Sequence, residues 1–299
     1  MARRRTLVRL KNAPIMQSVS GITDLRRIVG QARKEGHSIG FVPTMGALHA
    51  GHASLIDHAR RDGRFIVVSI FVNPLQFNDK NDFVGYPVTE ATDTEICRAS
   101  GVDLVFRPEP STIYPDGFQT HVVPGDVAGR LEGRHRAGHF DGVATVVLKL
   151  FNMVAPDAAY FGRKDFQQLA VVRRMVRDLD VPIDVIGCPT VRESDGLALS
   201  SRNVKLSKSA REVAPILHRA LRVAAQSLRS GASPGDARSA GLDILARDPD
   251  VVVDYLEIVR RDDLAPLADD DPGDAVVLVA ATIGGIRLID NLEIEEFIA

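Results

Sequence analysis

His49 and His52 lie three residues apart in Phe41-Val42-Pro43-Thr44-Met45-Gly46-Ala47-Leu48-His49-Ala50-Gly51-His52. Imidazoles at that spacing share one side of a first helical turn, where they can add hydrogen bonds or a proton as negative charge shifts. The apolar run at 39–42 reads as a buried parallel strand, and 53–59 has helical character. The stretch is therefore a strand, a tight turn and a helix start. Gly46 and Gly51 let backbone approach a ligand with no Cβ in the way, and the helix N-terminus offers free N–H groups and a positive dipole end. Phosphate is the ligand this suits. Histidines at helix starts also serve as plain caps or surface residues, and a bare His-x-Gly-His does not separate the two readings.

Three further clusters carry chemistry. A β-branched and aromatic run at 65–72 reads as a strand covered on both faces, ending in Asn73-Pro74-Leu75-Gln76-Phe77. Ligands of open α/β sheets bind beyond the carboxyl ends of strands, so Asn73 and Gln76 should face the crevice of the histidines, although Asn-Pro is also a common turn starter. Gly162-Arg163-Lys164-Asp165 follows a strand at 157–161 and forms a second strand-to-helix turn of the phosphate-binding type. Lys164 is a compact mobile cation suited to phosphate oxygens, while Gln168, just inside the helix, is placed either for a small molecule or as plain helix surface. Ser200, Ser201 and Arg202 offer several donors in a short span, a weak signal on its own. The stretch 131–140, rich in Gly, Arg and His, reads as a mobile basic loop shielding a triphosphate, or as solvated surface.

The elements that must position these residues alternate: strand at 15–19, helix at 22–34 closing at Gly36, the histidine strand and helix, strand at 65–72, helix at 90–99, strand at 102–106. Asp141 is expected to cap an apolar helix through Val154. Phe166, Leu169, Val172, Val176 and Leu179 form one stripe of the next helix, before a last strand at 182–189. The fold class is α/β, a Rossmann-like parallel-sheet nucleotide-binding domain over 14–190 behind a flexible basic tail at 1–13. Composition changes near 190, and 191–299 reads as a small α+β C-terminal lid domain. It holds a long helix at 207–229, a second at 234–247, and strands at 251–260, 275–281 and 285–291.

The 299 residues, 45% hydrophobic and 25% charged, suffice for a proper core. A net charge of −2 gives no global field for nucleic acid or membrane, so small molecules are the expected partners. Cys97 and Cys188, far apart and outside any metal-binding spacing, suit a reducing compartment, and no apolar run approaches a membrane span; the cytoplasm is expected.

The clusters also carry a resemblance. Pro-Thr-Met-Gly-Ala-Leu-His-x-Gly-His, Val-Ser-Ile-Phe-Val-Asn-Pro-x-Gln-Phe, Phe-Gly-x-Lys-Asp-x-Gln-Gln-Leu and Asp-Gly-Leu-Ala-x-Ser-Ser-Arg-Asn occur in the order of the pantothenate synthetase (pantoate:β-alanine ligase) family, within the HIGH-type nucleotidyltransferases. They cover the N-terminal domain and the junction, while the C-terminal part fits in size and in its Val-Asp-Tyr-Leu-Glu strand. The resemblance implies that Met45, Gly46, Ala47, Leu48, His49, Ala50, Gly51 and His52 contact ATP, as do Gly162, Arg163, Lys164 and Asp165. Val191, Leu199, Ser200, Ser201 and Arg202 complete that set. Gln76 and Gln168 would hold pantoate, with Gln76 also facing β-alanine.

The implied reaction has two steps: the pantoate carboxylate attacks the α-phosphorus of Mg-ATP and releases pyrophosphate, then the β-alanine amine displaces AMP to give pantothenate, the precursor of coenzyme A. His52 would be the proton donor, and His49, Lys164 and Arg202 would join it in neutralising phosphoryl charge. Mg2+ would ride mainly on phosphates and water, aided by Asp93. A homodimer is implied as well. The chain departs from the family's pattern at Arg163, usually glutamate, Ala137, usually proline, and Val88, usually arginine, and Arg163 is expected to add positive charge beside the nucleotide. Two rivals remain: a nucleotidyltransferase acting on a phosphate acceptor, for which the neutral Gln76 and Gln168 are poor partners, and a nucleotide-binding module without turnover.

Overall fold

A computed structural model describes residues 16–78, 83–268 and 274–294; the expected basic tail at 1–13 and residue 15 of the first strand lie outside the described residues. Short β-branched and aromatic runs form a six-stranded parallel sheet. Its strands are β1 (Gln17–Val19), β2 (Ile39–Thr44), β3 (Phe65–Ile70), β4 (Leu104–Phe106), β5 (Ala158–Gly162) and β6 (Asp184–Cys188). Alternate side chains enter opposite cores. Ile39, Phe41, Val67, Leu104, Phe106, Ala159 and Phe161 pack on one face, against α1 (Ile22–Lys34), α4 (His139–Val154) and α5 (Phe166–Asp178). Val42, Ile66, Val68, Val105, Ala158 and Tyr160 pack on the other, against α2 (Ala50–Arg61) and α3 (Glu90–Ala99).

The strand order β1-β4-β3-β2-β5-β6 fixes where a ligand belongs. From β2 the chain moves outward through β3 to β4, then returns to lay β5 and β6 on the other flank of β2. The order reverses between β2 and β5, and the crevice at such a switch point is the ligand position of an open α/β sheet. The histidine loop leaves β2 there and the Lys164 turn leaves β5.

After β6 come α6 (Lys208–Val213), α7 (Ile216–Arg229) and α8 (Pro234–Leu245), then an antiparallel sheet of β7 (Val251–Arg260), β8 (Ala275–Ile283) and β9 (Ile286–Glu293), ordered β7-β8-β9. The single long helix expected at 207–229 is two helices, because Pro215 has no N–H to continue the ladder and its ring crowds the preceding turn. Asp141 lies in the first turn of α4 but does not cap it; Gly138, in a left-handed conformation, precedes the helix. The α5 stripe runs through Phe166, Leu169, Val172 and Met175, and Leu179 is 52% exposed because the helix has already ended.

Strand β8 is covered on both sides. Val276, Leu278 and Ala280 join the core that holds α4 and α5, whereas Val277, Val279, Ala281 and Ile283 join the core under α7 and α8. The change of composition near 190 thus marks a change of sheet, while the packing continues across it.

Candidate active site

The loop after β2 is set from beneath by a carboxylate. Asp93 on α3 is 1% exposed and accepts from the Ala47 N–H at 3.1 Å, the Leu48 N–H at 2.8 Å and the Thr89 hydroxyl at 3.0 Å. Ala47, with φ +50°, holds a conformation that favours glycine, and this pair of hydrogen bonds stabilises it. The loop then delivers His49 as the N-cap of α2 and His52 one turn in. His49 Nδ1 accepts from the Gly51 N–H at 3.1 Å, and His52 Nδ1 accepts from the His49 N–H at 3.3 Å, a reciprocal capping box built from imidazoles. A Cβ on residue 51 would stand 2.8 Å from the His49 ring, so glycine here makes room for an imidazole. The cap reading is realised, and the cap orients both rings.

This cap also fixes the tautomers. Each Nδ1 accepts, so each Nε2 carries the proton. Burial and the neighbouring His49 lower the His52 pKa to about 3, and burial with the Lys164 charge lowers that of His49. Both rings are neutral donors at neutral pH, 4.2 Å apart centre to centre.

Beyond β3, Asn73 is buried and fully engaged. Its Oδ1 accepts from the Leu75 N–H at 3.3 Å and the Tyr114 hydroxyl at 2.7 Å, and its Nδ2 donates to Gly142 O and to Gln76 Oε1, each at 3.1 Å. With Oε1 so held, the Gln76 amide must present Nε2, which lies 2.9 Å from the Met45 sulfur. The stretch expected to be a mobile basic loop is instead packed structure. Buried Glu132 opens a helical turn, Glu132–His135, and buried His139 begins α4. His139 Nδ1 donates to Gln76 O at 2.7 Å and its Nε2 accepts from Arg136 at 3.1 Å; burial, then Arg136, lower its pKa to about 4.

One cleft collects these groups. Met45, His49, Gly51, His52, Asn73, Gln76, Gly162, Lys164, Asp165, Gln168, Val191, Leu199, Ser200, Ser201 and Arg202 line it. Burial pushes the Asp165 carboxyl up, but the Lys164 charge and hydrogen bond at 3.4 Å, helped by Arg202, hold it below its ordinary value. Residues not foreseen as site residues join them: Arg136 and His139, whose stretch was at least conspicuous, Tyr86, which hydrogen-bonds Ser201 and carried no sequence signal, and an apolar floor of Val146, Val147 and Leu150.

Six of the expected site residues lie outside the cleft lining. Gly46, Ala47, Leu48 and Ala50 do not line the cleft: the Ala47 and Leu48 N–H groups bond to Asp93, Leu48 is a core side chain, the Gly46 N–H donates to the Thr44 hydroxyl oxygen at 3.2 Å, and Ala50 is exposed at the start of α2. Both Asp93 oxygens accept hydrogen bonds, Oδ2 from the Ala47 N–H and Oδ1 from the Leu48 N–H and the Thr89 hydroxyl. Arg163 reaches Gly187 O at 3.2 Å and buried Glu293 at 3.1 Å, a carboxylate it shares with Arg261 at 2.8 Å. Val88 is 82% exposed and Ala137 is exposed as well.

The family model described as pantoate-beta-alanine ligase matches residues 17–293. The pantothenate synthetase of Chromohalobacter salexigens is 50% identical over 282 residues, 93% of this chain and 99% of that protein. The crystal structure of pantothenate synthetase from Thermus thermophilus superposes with a TM-score of 0.88 at 48% identity, covering 93% of this chain and 99% of that one. The pantoate-beta-alanine ligase of Francisella tularensis, solved with beta-gamma ATP and beta-alanine, gives 0.78 at 35% identity over 94% of this chain and 98% of its own. A match that runs through both sheets, over a cleft at the reversal of strand order, settles the descent: this chain belongs to the pantoate-beta-alanine ligase family.

Proposed function

We propose that this chain uses ATP to join pantoate to β-alanine through a pantoyl adenylate, releasing pyrophosphate, then AMP, and yielding pantothenate. The observation that carries this reading is the mixed lining of a single cleft. His49, His52, Lys164, Ser200, Ser201 and Arg202 offer donors and positive charge for a triphosphate, while Gln76 and Gln168 offer neutral amides above an apolar floor. The relatives named pantothenate synthetase and the Francisella relative holding beta-gamma ATP and beta-alanine support it.

Attack by the pantoate carboxylate moves negative charge onto the α-phosphoryl oxygens and the departing pyrophosphate. The Nε2–H groups of His49 and His52 meet that charge as neutral donors, and Lys164 and Arg202 meet it as cations. Gln76, its amide held by Asn73, presents donors suited to carboxylate and hydroxyl oxygens, and Gln168 faces the same space. The β-alanine amine then displaces AMP beside Gln76. Catalysis is chiefly placement and electrostatics.

Mg2+ would arrive with the triphosphate. Among the described residues no group of three or more His, Cys, Asp or Glu side chains could hold a metal, which supports an ion held mainly by phosphates and water. Assembly as a homodimer, supported by the family resemblance, and residence in the cytoplasm, supported by two buried free thiols at Cys97 and Cys188, complete the reading. No described helix is long and apolar enough to cross a membrane.

Exchange of labelled pyrophosphate into ATP, with pantoate present and β-alanine absent, tests the order of chemistry. An adenylate route gives pantoate-dependent exchange. Exchange that waits for β-alanine defeats the adenylate, ADP release points to an acyl phosphate, and absence of any pantoate-dependent exchange removes the assignment.

A further inference from the structure

The two cleft-lining loops that carry Lys164 and the Ser200 to Arg202 segment leave different strands, β5 and β6. Strand β9 connects them from the other sheet. Among the described residues it is an edge strand, paired with β8 alone, and it lies against the parallel-sheet domain with Arg287, Asn291 and Glu293 on the facing side. Asn291 is buried, and its Nδ2 donates to two successive main-chain carbonyls, Arg163 O at 2.9 Å and Lys164 O at 2.7 Å. One amide group thereby fixes the peptide units from which the Lys164 side chain projects.

The preceding residue holds the second loop. Asp290, also buried, takes a two-pronged ion pair from Arg192, with Nη1 to Oδ2 at 2.6 Å and Nη2 to Oδ1 at 3.0 Å. Arg192 also donates to Gly196 O and Asn291 O, both at 3.0 Å. It pairs with Ala198 across a narrow hairpin, and the Leu199 N–H closes on Val191 O at 2.9 Å. Ser200, Ser201 and Arg202 follow directly, so the ion pair sits at the root of the segment that carries them.

We propose that Asp290 and Asn291 are positioning residues for the phosphoryl chemistry: this two-residue step of β9 holds the Lys164 turn and the Ser200 to Arg202 segment in one frame, so that both meet the same triphosphate. Asn291 acts through main-chain carbonyls of the Lys164 turn, and Asp290 acts through Arg192. Donors that stabilise a transition state must be held to about 0.5 Å, and a displacement of about 1 Å can cost about 10²-fold in rate. A side-chain amide with both hydrogens committed to carbonyls supplies that fixity, and neither alanine nor serine can span the two acceptors.

The proposal rests on the nucleotide reading above, and pantoate-dependent pyrophosphate exchange by the full chain separates the two. Wild-type protein that shows no such exchange defeats the nucleotide reading. With exchange established, Asn291→Ala is expected to raise the KM for ATP and lower kcat, each by about 10-fold, because the Lys164 turn loses its anchor. The dissociation constant for pantoate, measured without nucleotide, should stay within about twofold. In a Lys164→Ala background the same change should add less than about twofold, since both substitutions then act on one group. Asn291→Ser keeps one short donor and provides the folded comparison where the alanine variant is too unstable to purify; its KM for ATP should also rise. Loss of folding alone would lower kcat with the active fraction, leave the KM for ATP unchanged and multiply with Lys164→Ala. That pattern, in either variant, overturns the proposal.

Discussion

A neutral imidazole and a proton donor make different demands on a replacement. His52 Nδ1 accepts from the His49 N–H, so the group it offers the cleft is an Nε2–H. Alanine at 52 removes it and is expected to slow pyrophosphate exchange by about 10²-fold or more. Glutamine places an N–H near the same point and should recover at least about tenfold of that loss, because donation without proton transfer is what the neutral tautomer supplies. Equal losses in the two variants, read as kcat for exchange, would assign His52 a transferred proton. Gln168→Ala should weaken pantoate binding by about 1–3 kcal/mol in calorimetry, the cost of leaving a ligand group unpaired, and unchanged affinity would move pantoate elsewhere. The residue types and spacing made these candidates visible in the sequence. The tautomers were not visible, because they depend on how the cap closes. Nor was the role of Asp93, forty-six residues from Ala47 along the chain and hydrogen-bonded to its N–H in the fold.

Helix α4 and the turn after β3 approach so closely that only glycine fits between them. A Cβ at Gly142 would stand 2.3 Å from Leu75 O and 2.8 Å from the Gln76 nitrogen, while Gly142 O accepts from Asn73. Gly142→Ala must therefore push the Gln76 turn away from α4. The expected result is a pantoate KM raised by about tenfold or more, with about 1–3 kcal/mol of stability lost to overpacking. Normal pantoate kinetics in the folded variant would show that Gln76 does not depend on this contact. Periodicity read most elements well: α1 and α3 begin and end at the expected residues, and β7 spans its expected ten. It failed where a rule local to one residue overrode it, as at Pro215, which divides an otherwise continuous apolar stripe. It failed also at 131–140, where hydrophilic composition suggested a loop. There Glu132 is satisfied by Arg287 at 2.7 Å and by Tyr255 at 2.9 Å, partners contributed by the other sheet.

Buried histidines give the folded chain a directional response to acid. His52 and His139 titrate at about 3 and about 4 in the fold, against about 6.5 when unfolded. Below pH 6.5 the unfolded chain therefore binds more protons than the native one. Their stabilisation is complete above that pH and is lost as pH falls through 6.5 toward 3–4, by up to about 1.4 kcal/mol per pH unit for each histidine. Glu132, which burial alone would raise but which Arg287 and Tyr255 hold low, adds loss of the same sign once pH falls through its unfolded value of about 4.5. Denaturation midpoints from pH 7 to 4 should fall, and His139→Gln should flatten that slope; a slope unchanged by the variant would mean that His139 is protonated in the native state.

Strand β8 gives the outcome of such an experiment its form. Because its successive side chains belong to different cores, melting either core strips one side of the same strand. The two segments thus share one cooperative transition, and calorimetry should record a single peak in which the calorimetric and van't Hoff enthalpies agree. A gene cut at codon 190 should yield two fragments that aggregate when made separately, each presenting to water the apolar surface its missing half would have covered.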